Sequence, residues 1–311
     1  MKTILIILFI ISALMTSAYF ILRTERKELD EAARIAAGGQ FIQLKQGMVH
    51  YEIAGEADRP LVVLVHGFST PSYIWDPTFE ALVQSGYRVL RFDLYGRGFS
   101  DRPIADYDLN LFTGQVEDLL ATLQINQPVH LMGLSMGGPI AAAYAGRHPE
   151  MIRSLTLIDP LVSNIFQSSI FPLNIAGVGE YLIAVVMEPF VLPKSQNDDL
   201  LHPERFPDWE NQYRVQTQYK GFGRAVLSTM RCIAREDTLA IYRDLGEKNI
   251  PILILRGTKD QTISANDIEI LRSYLPHAQF HPISEAGHIP HYEKPDAVNP
   301  ILINFLSNPG N

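Results

Sequence analysis

Short apolar runs separated by charged or glycine-bearing turns set the rhythm of this chain. Leu61 to Val65 is continuously apolar, the pattern of a strand buried on both faces. Further runs fall at Tyr87 to Phe92, Val129 to Leu134, Leu155 to Ile158, Ile252 to Leu255 and Phe280 to Ile283. Phe41 to Leu44 and Val49 to Ile53, separated by Gly47, predict an opening hairpin. Helical periodicity lies between the runs, clearest from Leu111 to Leu123, where Val116, Leu119, Leu120 and Leu123 recur at three- and four-residue spacing. Alternation of this kind predicts the α/β class: a mostly parallel sheet flanked by helices, with ligands at the carboxyl ends of the strands.

Two segments break the rhythm. From Ile4 to Leu22 the chain is apolar apart from Ser12, Thr16 and Ser17, and Arg23, Arg26 and Lys27 follow. About 20 residues cross a bilayer as a helix, so the run predicts a single-pass anchor. A signal peptide cut after Thr16 and Ala18 is the alternative, and would leave a secreted or periplasmic protein. Tyr19 to Leu22 continue the apolar run beyond that cut and favour the anchor. The excess of Lys and Arg after the span favours a cytoplasmic catalytic domain. Glu25 to Ala37 then reads as a short helical spacer that stops at Gly38-Gly39.

The second break runs from about Leu161 to Arg235, where apolar clusters and prolines occur with no strand and crossover helix. Its place between two core strands predicts a lid over the site. The division is therefore 1–23 anchor or signal, 24–39 spacer, 40–160 and 236–308 core, and 161–235 inserted cap. Phe166, Ile170, Phe171, Leu173, Ile175, Val178, Tyr181 to Ile183, Val185 to Met187, Phe190 and Val191 make the cap unusually apolar. Such a stretch suits either a buried helix pair or the lining for an acyl chain.

Composition removes several classes of function. A net charge of -8 gives no basic surface for phosphate backbones, which excludes nucleic acid as the expected partner. Cys232 is the single cysteine, so there is no internal disulfide and no all-cysteine metal cage. His277, His281, His288 and His291 crowd the C-terminal stretch but lack a helix-borne H-E-x-x-H arrangement, and neither metal nor cofactor is expected.

Chemistry concentrates at the strand ends. Val129 to Leu134 runs into Gly133-Leu134-Ser135-Met136-Gly137-Gly138, followed by an alanine-rich helix. A strand, tight turn and helix in that order hold Ser135 in a strained conformation with its hydroxyl pushed out over the sheet, and glycines two positions to either side permit the close approach. A Rossmann reading fails because Ser135 stands where a pyrophosphate would need a glycine. A serine nucleophile requires a base and an orienting acid. His288 follows the last strand as the base, and Asp260 follows Ile252 to Leu255 as the acid. Asp159, also at a strand end, competes for the acid role; the order Ser135, Asp260, His288 favours Asp260. Backbone NH groups of Met136 and of Phe68, in Val65-His66-Gly67-Phe68, are the expected oxyanion donors, with His66 a packed loop residue.

Together Leu61 to Phe68, the run Asp93 to Ser100, the Ser135 turn and the Asp260 and His288 loops resemble the α/β-hydrolase superfamily, from about Gly47 to Leu306. The pattern is similar to its lipase, monoacylglycerol lipase and esterase branch. That resemblance implies hydrolysis of a carboxylic ester, lipidic if the apolar cap and the anchor act together, with no cofactor. Haloalkane dehalogenases and epoxide hydrolases carry aspartate where this chain has Ser135. Carbon-carbon bond hydrolases typically carry asparagine and tryptophan where Leu134 and Ile289 stand. Enol-lactonases and cofactor-free haloperoxidases share the glycine, leucine, serine order. A non-catalytic membrane receptor on the same fold is the alternative of a different class.

Overall fold

The computed structural model describes residues 1–163 and 170–309; Phe166 of the apolar cap stretch lies outside them. Eight strands form the sheet: β1 (Gln40–Leu44), β2 (Gly47–Ala54), β3 (Leu61–Val65), β4 (Arg88–Phe92), β5 (Val129–Leu134), β6 (Ile152–Ile158), β7 (Ile252–Gly257) and β8 (Gln279–Ile283). Their order is β1-β2-β4-β3-β5-β6-β7-β8. The β1–β2 and β2–β4 pairings are antiparallel and all others parallel. The core helices are α3 (Asp76–Gln84), α4 (Leu109–Thr122), α5 (Gly137–Arg147), α10 (Thr238–Gly246), α11 (Ala265–Tyr274), α12 (Pro290–Glu293) and α13 (Pro295–Ser307). At the N-terminus lie α1 (Lys2–Leu22) and α2 (Glu31–Ala37), and between β6 and α10 lie α6 (Val178–Leu182), a π-helical segment (Ile183–Val191), α7 (Leu192–Ser195), α8 (Trp209–Thr217) and α9 (Phe222–Ile233).

The continuous apolar strands are explained by burial on both faces. In β3, Leu61, Val63 and Val65 pack toward α4, α5 and α10, while Val62 and Leu64 pack toward α3 and α13. Each such side chain contributes about 1.5–3 kcal/mol. β6 starts at Ile152, three residues before the expected Leu155. Its first half reads as polar because Ser154 is buried against His130, to which its hydroxyl is hydrogen-bonded at 2.7 Å.

The spacer differs from expectation. Only Glu31–Ala37 is helical, with Asp30 accepting from the Ala33 NH as its N-cap. Residues 23–30 are held in non-helical backbone by the insertion: Arg26 and Lys27 NH groups donate to Gln218 O, and Lys220 NH donates to Lys27 O. These pairings override the helical composition. α1 buries none of its residues and is long and apolar enough to cross a membrane, which an anchor and a signal sequence both satisfy.

The insertion has its own small core, in which Leu173, Ile183, Leu192, Tyr213, Phe222 and Val226 pack together. The apolar stretch is thereby divided. Leu173, Ile183 and Val185 are buried, whereas Phe171, Ile175, Val178, Val186 and Phe190 face outward.

Three buried histidines make stability depend on pH. Burial pushes His66 and His130 down to about 4 and His291 to about 3, from an ordinary 6.5. Each of these histidines makes the unfolded chain bind more protons than the folded one below pH 6.5, so its own contribution to stability falls as the pH drops toward 4, while the raised carboxyls of Asp199 and Glu188 act in the opposite sense. Between about pH 7 and about pH 4 the urea midpoint of the wild type should fall relative to that of His130→Gln, which lacks the buried imidazole. An unchanged slope in that variant would contradict the assignment.

Candidate active site

The turn after β5 is built by exclusion. Ser135 has φ 52, a left-handed backbone that costs a non-glycine residue about 1–3 kcal/mol. A Cβ on Gly133 would overlap the Gly137 carbonyl, and one on Gly137 would overlap the Val65 carbonyl. Strand, turn and helix can thus approach only with glycine at both places. Ser135 NH donates to Ile158 O at 3.0 Å, and Ser135 O accepts from Leu161 NH at 2.9 Å, so the end of β6 clamps the turn.

Asp260 and His288 arrive on the loops after β7 and β8. Asp260 Oδ2 lies 2.9 Å from His288 Nδ1, and Asp260 Oδ1 accepts from the NH groups of Thr262 and Ile263. With Nδ1–H donating to the carboxylate, Nε2 is left as the acceptor. His288 NH donates to Asp199 O at 2.8 Å and fixes the loop. Burial disfavours the charged imidazole, but the Asp260 carboxylate outweighs it and holds His288 above its ordinary value. Burial likewise opposes ionisation of Asp260, yet His288 and the NH donors keep it below the carboxylate norm.

Asp159, the competing acid, sits behind Asp260 rather than against the imidazole. It is fully buried, with φ 37, and its Oδ2 accepts from Gly257 NH at 2.9 Å. Burial first, and the neighbouring Asp260 second, push Asp159 well above the usual carboxylate range and favour its protonated form, and its buried Oδ1 has no hydrogen-bond partner among the described residues.

The loop after β3 lies on the other side of the serine. A Cβ on Gly67 would come within 3.1 Å of Ser135 Cβ. His66 donates from Nδ1 to Gly67 O at 2.9 Å and accepts the Leu94 NH on Nε2 at 2.8 Å, which makes it a neutral brace. Arg97, buried and uncounted among the expected site residues, donates to Phe68 O at 2.8 Å and to Thr229 Oγ1 at 2.8 Å. Asp93, in the same turn, accepts from Ser72 NH, Ser72 Oγ and Phe99 NH and pairs with His50. Met136, directly after Ser135, is the N-cap residue of α5 and is buried.

Ser135 and His288 line one cavity of about 320 Å³ with Phe68, Thr70, Met187, Val191, Gln196 and Asp199. No hydrogen bond joins Ser135 Oγ to His288 among the described residues, although both line the cavity. Burial pushes the Asp199 carboxyl up to about 6 against the pull of His288. Thr70 Oγ1 donates to Gln196 Oε1 at 2.7 Å, tying core to insertion. These residues, Thr70 and Gln196 to Asp199, belong to no catalytic motif legible in the sequence. A second cavity, about 340 Å³, lies between Arg23, Glu188 and Arg231 and contains neither Ser135 nor His288.

The sequence pattern of the alpha/beta hydrolase fold family matches residues 60–295. The chain belongs to the α/β-hydrolase family. Among its relatives, Lipase 1 of Psychrobacter immobilis is 26% identical over 287 residues, which cover 89% of this chain and 84% of that protein. A putative non-heme chloroperoxidase of Synechocystis sp. is 26% identical, covering 83% and 94%. Among solved structures, the enol-lactonase of Burkholderia xenovorans LB400 superimposes with a TM-score of 0.73 at 24% identity, covering 86% of this α/β-hydrolase and 100% of that chain.

If Asp159 is neutral, Asp159→Asn exchanges one uncharged donor for another and should leave the His288 pKa, followed by NMR, nearly unchanged. An ionised Asp159 predicts instead a fall of about 1 or more on removal of its charge.

Proposed function

We propose that this protein is a serine hydrolase that cleaves carboxylic esters through an acyl-enzyme, with lipidic esters as its substrates. The observation that carries this reading is the 2.9 Å contact between His288 Nδ1 and Asp260 at a cavity shared with Ser135. In the proposed reaction His288 removes the Ser135 proton as Oγ attacks the carbonyl. The NH groups of Phe68 and Met136 receive the developing oxyanion. Collapse expels the alcohol, which takes the proton back from His288. Water activated by the same ring then releases the acid, and Asp260 stabilises the charged imidazole throughout.

The relative named as a lipase supports ester hydrolysis. The cavity supports it further, because Asp198 and Asp199 from the insertion line it beside His288. Two carboxyls there disfavour a substrate carrying its own carboxylate and favour an uncharged ester. Phe68, Met187, Val191, Leu192 and Met230 supply apolar wall for an acyl chain. α1 is read as the anchor that keeps the site near lipid.

Ser135→Ala should lower turnover of a p-nitrophenyl ester by roughly 10³-fold or more, with the urea midpoint little changed. Wild-type-like turnover would remove Ser135 from the mechanism. Good hydrolysis of acetyl esters with none of medium-chain glycerides would overturn the lipidic substrate. Because the base must be neutral and Asp260 raises its pKa, kcat/KM should rise with pH through a midpoint above 6.5. A midpoint well below that value would contradict the pairing.

A further inference from the structure

Exposed apolar side chains on this protein are concentrated in two places, α1 and the outer surface of the insertion. On the insertion, Phe171 is 73% and Phe190 54% exposed, and Ile175, Val178 and Val186 also face outward. Scattered exposed leucines are ordinary; a contiguous apolar surface marks a contact. Charge is withheld from this stretch. Between Ile170 and Pro193 the only charged residues are Glu180 and Glu188. Glu180 pairs with Arg231, while Glu188 is buried and accepts the Thr24 hydroxyl at 2.7 Å, on the side of the spacer. Val186 and Phe190 are four residues apart, on one side of the π-helical segment.

The position of α1 says what covers this surface. α1 packs against the π-helical segment, and Tyr181 Oη donates to Met15 O at 3.2 Å. Met15 lies seven residues before Leu22, the end of the apolar helix, so the contact falls about 10 Å back along it at 1.5 Å per residue. If α1 crosses a bilayer with Arg23, Arg26 and Lys27 at the headgroups, Tyr181 and its neighbours cannot remain in water. They lie at about the depth of 5–10 Å that interfacial apolar faces reach.

We propose that the surface formed by Phe171, Ile175, Val178, Val186 and Phe190 enters the headgroup and outer acyl layer of the membrane that α1 spans, so that the cavity draws its ester from the bilayer. The same segment reaches both surfaces: Val186 and Phe190 face outward, Met187 lines the cavity that holds Ser135, and Val191 lines that cavity while itself 39% exposed. An acyl chain leaving the leaflet therefore has one helix to pass. This inference rests on reading α1 as an anchor and the site as an esterase.

The test uses the full chain reconstituted in phosphatidylcholine vesicles. Phe190→Trp adds a surface fluorophore to a chain whose own tryptophans, Trp75 and Trp209, are buried. The emission it adds over wild type should be blue-shifted, as in an apolar medium, and quenched by lipids brominated near the carbonyl. Added emission that those lipids leave unquenched overturns the proposal. Val186→Glu with Phe190→Glu should lower turnover of a long-chain ester held in the vesicles by about tenfold or more and leave turnover of a soluble short-chain ester unchanged. Equal turnover of both substrates by variant and wild type overturns it too. A dimer in detergent whose formation the double variant abolishes, with the Phe190→Trp emission unquenched in vesicles, would assign the surface to a second copy instead. Quenching without any soluble-ester turnover would keep the membrane contact and sink the hydrolase reading alone.

Discussion

The left-handed backbone at Ser135 governs the geometry of the site. At Ser135 the chain leaves a buried strand and enters a helix within one turn, which requires the Gly133 and Gly137 backbones to touch each other and the end of β3. An ordinary serine would relax into a helical or extended conformation and withdraw its hydroxyl. The NH and C=O of Ser135 are instead tied to Ile158 and Leu161 at and beyond the end of β6, so relaxation would break the parallel sheet at its centre. The strain is stored where it exposes one oxygen.

Around that turn, burial is used to set charge. His66 is kept neutral so that it can brace Gly67 with one nitrogen and accept the Leu94 NH with the other. Asp93 stays ionised because its oxygens are satisfied by Ser72, Phe99 and His50. Asp159 goes the other way, pushed up by burial and by the neighbouring Asp260, whose own carboxylate faces His288 and is held below its ordinary range. A positive Arg97 under the Phe68 carbonyl fixes the loop on the far side of the serine. These groups gather where the carboxyl ends of the parallel strands converge.

Much of this was legible because it rests on local rules. Leu61 to Val65 could only be a strand buried on both faces, and Ser135, Asp260 and His288 stand just beyond strands whose apolar runs are unmistakable. Where tertiary contacts decide, the pattern was silent. The polar Ser154 concealed the start of β6 because its partner, His130, lies on another strand. Residues 23–30 carry helical composition yet are held non-helical by Gln218 and Lys220. Asp199 comes to the cavity from the stretch between β6 and α10, where its carbonyl accepts the His288 NH, and chain order alone could not reveal that Asp159 lies next to Asp260. The apolar stretch suits a buried or a cavity-lining role by its pattern alone, and part of it does neither: Phe171, Ile175, Val178, Val186 and Phe190 face outward.

The central claim is that the nucleophilic oxygen is the one raised by this turn and activated by the histidine across the cavity. Its most direct measurement is the mass of the protein after reaction with a fluorophosphonate, followed by peptide mapping. One adduct per chain, on Ser135 and formed far more slowly in a His288→Gln variant, is the predicted result. An unmodified chain, or an adduct on another residue, would contradict the account.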